Sequence, residues 1–220
     1  LRQRLRETPI RDIHDVEVMA RLDADARQKL NVAERLADAF IGTVFTSEAT
    51  RTQETRLSAL AIQADRIARG DAETLEAAKR QVAYDLAVDL PPSKPPRHPI
   101  HWPLEFPEVF QRENGGFDAW VSNPPFLGGR KISSNLGDSY EKALKRLLLD
   151  GAKGSVNLVA YFLIRSLRLL RSTGVAGFIA TDSITESDTR TQVLTRVFAQ
   201  ATTFFALSSF PWPGTAGVYV

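Results

Sequence analysis

Phe117-Asp118-Ala119-Trp120-Val121-Ser122-Asn123-Pro124-Pro125-Phe126 reads as a short strand running straight into a rigid polar corner. Its first six residues are mostly apolar, with two aromatics, which suits a pleated and buried surface. The two prolines end it. Neither donates a backbone N–H, and each restricts φ, so a ladder cannot continue and the local carbonyls are held in place. An exposed aromatic, Phe126, follows. Working outward towards the C-terminus, strand and helix alternate. Ser155–Leu170 has the pattern of a largely buried helix, and Val175–Ala180 is a strand entered through Thr173-Gly174. Asp188–Ala199 reads as a helix, Thr202–Ser208 as a third strand, Pro211-Trp212-Pro213-Gly214 as a turn, and Gly217–Val220 as the start of a fourth strand. Strand–helix–strand order with apolar strands predicts an α/β unit whose parallel sheet is covered on both faces.

Working outward towards the N-terminus, the pattern changes. Residues 9–90 repeat apolar positions at intervals of three and four, as in Val16, Met19, Leu22, then Leu36, Ala39, Phe40, Val44, then Leu57, Leu60, Ala64, Ile67. Gly70-Asp71 reads as a helix stop followed by an N-cap, with Glu73 in the next first turn and a helix over 72–88. Mixed charge on the polar faces favours a solvated helical bundle over a DNA-contacting surface. Residues 91–107 hold Pro91, Pro92, Pro95, Pro96, Pro99, Pro103 and Pro107. That density predicts an extended connector without helix or central strand. The aromatics of its second half suggest packing against the following domain. The organisation expected is therefore a helical part over 1–90, a connector over 91–107 and an α/β part over 108–220.

Composition excludes several chemistries. The chain has 220 residues, 43% hydrophobic and 25% charged, the balance of a globular protein. With no cysteine there are no disulfides, thiolate metal ligands or cysteine nucleophiles. No apolar run approaches the roughly 20 residues of a membrane span, and the basic Leu1–Arg6 stretch lacks the apolar core of a signal peptide. The net charge of +2 and pI near 9.0 permit nucleic-acid binding without indicating it. His14, His98 and His101 have no metal-ligand spacing, so no metal is expected. The chain starts without methionine and ends on an apolar, strand-like Val218-Tyr219-Val220, as a fragment of a longer protein would.

The corner suits one task, which is holding an exocyclic amino group on a planar ring. Such a nitrogen is a poor nucleophile because its lone pair is delocalised into the ring. Two acceptors facing its N–H groups draw it towards tetrahedral geometry. The Asn123 side-chain carbonyl and the Pro124 backbone carbonyl are the candidates, preorganised by Pro124-Pro125. Phe126 offers a face for stacking. A plain strand-to-loop turn would use the same residues to stop the strand. The strand ahead of it and the α/β pattern after it favour the chemical reading, because ligands of open parallel sheets bind beyond the strands' carboxyl ends. Gly128 and Gly129 would let the next loop run close to substrate, or serve ordinary loop flexibility. Thr181, Asp182 and Ser183 end the Val175–Ala180 strand and face the same crevice, or cap the next helix.

Several segments together resemble the gamma-type N6-adenine DNA methyltransferases found in large single-chain bacterial restriction–modification and phage-defence proteins. They are His101–Phe110, Gly116-Phe117-Asp118, Asn123–Gly129, Asn157-Leu158-Val159-Ala160-Tyr161-Phe162, Gly177–Ile184, Asp188-Thr189-Arg190 and Pro211–Gly214. More loosely, the helical part is similar to an insertion such proteins carry, through Leu36–Phe40. The resemblance implies an α/β fold: a partial Rossmann-like class I methyltransferase sheet preceded by a helical insertion, here incomplete at both ends. It implies S-adenosylmethionine as methyl donor and double-stranded DNA as partner. Asn123, Pro124, Pro125 and Phe126 would form the catalytic set acting on a flipped adenine, and the cell compartment would be a prokaryotic cytoplasm. The donor already carries an activated methyl, so neither general base nor metal is required before attack. Relatives often have Asp where this chain has Asn157, which leaves that residue a capping or packing role.

The same resemblance shows what is missing. No strand followed by a glycine-rich donor-binding loop occurs before residue 110, and no downstream target-recognition region is present. The 220-residue chain alone is expected not to methylate DNA. Arg130, Lys131, Lys142, Lys145 and Arg146 would meet phosphates or simply form a solvated face. Trp212 is expected to pack under its turn. Asn-Pro-Pro-aromatic corners also serve methyltransferases of RNA guanine and of protein glutamine, and a degenerate fold could act as a DNA-binding scaffold. The proline–aromatic segment and the Pro211–Gly214 turn favour DNA, and the intact Asn123–Phe126 corner counts against a degenerate scaffold.

Overall fold

The computed structural model describes residues 2–47 and 50–211. They cluster into two units, 1–113 and 114–220. In the first, α1 (Arg2–Glu7) precedes the long α2 (Ile13–Thr46), α3 (Thr50–Ala68) and α4 (Ala72–Leu86). The starts of α2 and α4 have a local cause. The Asp12 carboxylate accepts from the His14 and Asp15 N–H groups at 2.8 and 3.1 Å, satisfying orphan donors of α2. Gly70, at φ +90, ends the preceding helix, and Asp71 accepts from the Thr74 N–H at 2.9 Å to start α4. This is the stop-and-cap arrangement expected there. The Thr74 backbone and hydroxyl and the Arg66 guanidinium together hold the Asp71 carboxyl down at about 2.

Helices α2 and α4 meet closely where Gly42 leaves no side chain. A Cβ there would lie 2.8 Å from that of Asp85. Asp85 is buried and satisfied by Arg56 at 2.9 Å and Gln81 at 2.9 Å, as a buried carboxylate must be.

The proline segment ties back to this helical unit. Arg97 donates from its backbone to the Leu86 carbonyl at 3.1 Å and from its guanidinium to the Val88 carbonyl at 2.7 Å. It therefore satisfies carbonyls left open at the end of α4. His101 Nε2 lies 2.8 Å from the buried Asp38 of α2. Two single-turn helices follow, α5 (Trp102–Glu105) and α6 (Pro107–Phe110), correcting the expectation of an extended segment throughout. Pro103 and Pro107 lie in the first turn of each, where the missing N–H has no intrahelical bond to lose.

In the second unit, β1 (Phe117–Ser122) has the expected bounds. It is followed by a 3₁₀ turn (Gly129–Lys131), α7 (Ile132–Leu136), α8 (Asp138–Leu148) and α9 (Leu158–Leu167). Next comes β2 (Leu170–Phe178), then a 3₁₀ turn at Asp182–Thr185. The last helical run, expected as one helix over 188–199, is α10 (Ser187–Thr189), a π turn (Arg190–Leu194) and α11 (Thr195–Phe198). β1 and β2 are parallel, from Ala119 opposite Val175 to Ser122 opposite Phe178. The register shifts between Phe117 and Ala119, so β2 begins five residues earlier than expected. Gly174 permits the shift, since a Cβ there would lie 2.8 Å from the Phe117 carbonyl oxygen. Gly116, at φ +132, lies tight against Leu170 and Arg171.

The core of this unit lies between helices. Ile132, Leu149, Val156, Ala160, Tyr161 and Val193 are its most enclosed members. The described sheet is not covered on both faces: Val121 is 89% exposed. A third strand at Thr202–Ser208 is also corrected. Those residues carry no regular structure, with Phe204 81% and Phe205 76% exposed. An apolar stretch becomes a strand only where a ladder partner takes its backbone groups. The turn at Trp212-Pro213-Gly214 and the strand over Gly217–Val220 lie outside the described residues.

Candidate functional site

The corner leaves β1 at its carboxyl end, beside the end of β2. The Ile179 N–H donates to the Ser122 carbonyl at 3.1 Å, so the ladder holds the chain up to the residue before Asn123. At the far side of the corner, the Leu158 N–H at the head of α9 donates to the Leu127 carbonyl at 2.9 Å. The Leu127 side chain packs against the helical core. Asn123–Phe126 is thus a four-residue bridge anchored at both ends. Within it, the Leu127 N–H donates to the Pro125 carbonyl at 3.0 Å, closing a tight turn around Phe126.

Burial alternates along the bridge. Pro124 is buried, whereas Asn123 and Pro125 are exposed and Phe126 is 40% exposed. Among the described residues none donates to the Asn123 side chain or to the Pro124 carbonyl. Two potential acceptors without a donor among the described residues and a partly exposed aromatic thus occur within four consecutive residues.

Beyond the corner, the two glycines differ. Gly128 is exposed, with only the Asn157 Oδ1 near its missing Cβ, at 3.9 Å. Gly129 is buried, and a Cβ there would lie 2.6 Å from both the Ser155 Oγ and the Val156 carbonyl oxygen. Close backbone passage at Gly129 is against the protein's own 155–156 segment. Arg130 and Lys131 follow in an exposed 3₁₀ turn, and among the described residues neither forms an ion pair. Lys145, by contrast, is engaged by Glu141 at 2.6 Å.

The end of β2 brings Thr181, Asp182 and Ser183 to the same edge of the sheet, all half-buried. The hydroxyls of Thr181 and Ser183 are 2.8 Å apart. Asp182 accepts from the Ser209 N–H at 3.2 Å and the Ser209 hydroxyl at 3.1 Å. It therefore holds the segment after α11; the turn that it opens has no side-chain cap bond.

Asn157 is the residue the sequence undersold. It stands at the N-cap of α9 with extended backbone, yet makes no side-chain cap bond. Its Oδ1 accepts from the Gly129 N–H at 3.0 Å. Its Nδ2 donates to the Ser183 hydroxyl at 2.9 Å and carbonyl at 3.2 Å. An asparagine just ahead of a helix ordinarily reads as a cap. No local signal distinguishes an amide that points instead at two distant segments.

β1 is the first strand among the described residues, so no glycine-rich loop following a strand precedes it. No group of His, Asp or Glu able to hold a metal occurs among the described residues. No described helix is long and apolar enough to cross a membrane.

Comparison with known proteins gives one family. The family model described as Eco57I restriction-modification methylase matches residues 49–210, well over half of the chain, and spans the corner, both strands and α9. Neither the curated proteins nor the solved structures contain a match.

Proposed function

The chain belongs to the Eco57I restriction-modification methylase family, and from that premise we propose that it methylates the exocyclic N6 of adenine in double-stranded DNA. The observation that carries this is the pair of acceptors, Asn123 Oδ1 and the Pro124 carbonyl, left without donors among the described residues at the carboxyl end of β1. Adenine N6 presents two N–H groups. Accepting both draws the nitrogen towards tetrahedral geometry and localises its lone pair, while Phe126 stacks on the ring and holds it in place. The anchored bridge keeps both carbonyls where the charge of the attacking nitrogen develops, which is where preorganised dipoles act best. S-adenosylmethionine supplies a methyl already activated as a sulfonium. Among the described residues no strand with a glycine-rich loop precedes β1, and no donor-binding residue is assigned to them. An adenine inside a duplex cannot reach the corner, so it is flipped out, at a few kcal/mol of unstacking.

In this reading residues 108–220 are the catalytic half of a methyltransferase domain and residues 1–90 a helical insertion. The protein works in a prokaryotic cytoplasm. The exposed face around Val121 is where the remainder of the sheet packs. Gly128, Thr181 and Ser183 line the base pocket, and Arg130 and Lys131 meet flanking phosphates. The 220-residue chain alone is inactive.

The test is a base-modification map of DNA from cells expressing the complete gene product, beside Asn123→Ala. N6-methyladenine at one short motif, absent with the variant while DNA binding persists, supports the proposal. An unmodified map from a folded, DNA-binding protein refutes it and moves weight to an RNA or protein substrate or to a scaffold.

A further inference from the structure

A side chain that touches no reacting atom can still decide where reacting atoms sit, and Asn157 has the contacts for it. The amide has one acceptor and two donor hydrogens. Its oxygen holds the Gly129 N–H and its nitrogen spans the Ser183 hydroxyl and carbonyl. Its own backbone N–H donates to the Thr189 hydroxyl at 3.1 Å. One residue is therefore bonded to the loop leaving the corner, to the turn leaving β2, and to the last helical run. The neighbouring Leu158 N–H takes the Leu127 carbonyl. The outer end of the Asn123–Phe126 bridge is thus held by two consecutive residues at the head of α9. The inner end is held by the strand ladder through Ile179 and Ser122.

We propose that Asn157 is a positioning residue for methyl transfer, setting the distance between the Asn123–Phe126 corner and the Thr181–Ser183 turn through Gly129 and Ser183. This rests on the methyltransferase reading given above. The chemistry of the amide explains the choice of residue. A carboxylate only accepts, so it could keep the Gly129 N–H but would face the Ser183 carbonyl with like charge. An alanine loses both arms and frees the loop at Gly129. A loop displaced by an ångström moves the two acceptors off the target amine, an error worth about 100-fold in rate.

The experiment compares Asn157→Ala and Asn157→Asp in the complete gene product, with steady-state kinetics on duplex DNA and amide hydrogen exchange at Gly129. In the alanine variant kcat falls roughly 10- to 100-fold, with KM for DNA and for donor changed less than about threefold, and Gly129 exchanges faster. In the aspartate variant Gly129 keeps its protection and kcat recovers in part, because the acceptor arm survives. A merely structural role would lower the folded fraction and leave kcat per folded molecule unchanged. That result, or an alanine variant with unaltered Gly129 exchange, overturns the proposal. If the alanine variant does not fold, the aspartate variant decides: full loss of kcat despite a protected Gly129 also overturns it. A wild-type protein without methyl transfer would sink the functional reading instead, and Gly129 exchange would still decide whether Asn157 holds the loop.

Discussion

Adjacent glycines in the corner's exit loop should respond oppositely to the same small change. In Gly129→Ala the new methyl would sit 2.6 Å from the Ser155 hydroxyl and the Val156 carbonyl, and 2.7 Å from the Ser155 carbonyl carbon. Two of those three atoms are backbone, so a rotamer change cannot relieve the clash. Either the loop or the 155–156 segment must move. Forcing a methylene-sized group into a packed site costs about 1–3 kcal/mol. In Gly128→Ala the nearest atom is the Asn157 Oδ1 at 3.9 Å, an ordinary contact, and φ is −62. The expected change is within about 0.5 kcal/mol, or a gain of about 0.4–1 kcal/mol from a less flexible unfolded chain. Hydrogen exchange of the slowest amides in α9 reads the opening of the unit that holds both glycines. At tenfold per 1.4 kcal/mol, Gly129→Ala should speed their exchange about 5- to 150-fold, and Gly128→Ala should leave it unchanged or slower. Equal effects at the two positions would refute the reasoning, because the substitution differs only in what the methyl meets.

Three further outcomes follow from single side chains. Asp71 is held at about 2, below its ordinary 3.8, so its charged form stabilises the fold. That contribution is complete above pH 4 and is lost as pH falls towards 2. The gap in urea midpoint between wild type and Asp71→Ala should therefore be constant from pH 7 to 4 and close below it; a gap persisting at pH 2 counts against the capping account. Tyr161 is buried with no partner for its hydroxyl among the described residues, and burial pushes its phenol up. The folded state favours the neutral phenol, so that contribution is lost as pH rises above about 10. Tyr161→Phe should raise stability by about 1 kcal/mol at neutral pH by removing an unpaired polar group and should flatten the alkaline decline; a loss of stability would show that the hydroxyl has a partner. Arg130→Ala and Lys131→Ala should each reduce the slope of log binding constant against log salt by about 0.9 if each meets one phosphate; unchanged slopes would place them on a solvated face.

What could be read in advance was punctuation. Pro124-Pro125 stop β1 by acting on their own backbone, so the strand's end was visible without its neighbours. Gly70-Asp71 worked the same way. What could not be read was partnership. The early start of β2 depends on Gly174 passing the Phe117 carbonyl, a contact between residues more than fifty apart. Thr202–Ser208 has the composition of a strand, but among the described residues nothing takes its ladder, and composition alone carries no hydrogen bond. Asn157 joins these cases, and it shows why a candidate site is harder to read than a fold. Its type and place imply a helix cap, a bond within three residues. The actual bonds, to Gly129 and Ser183, lie 28 and 26 residues away. The corner's chemistry sits in four consecutive residues and announces itself. The geometry that makes the chemistry effective is spread over the elements that converge on it, so it becomes visible only when the parallel pairing of β1 and β2 brings their carboxyl ends to one edge.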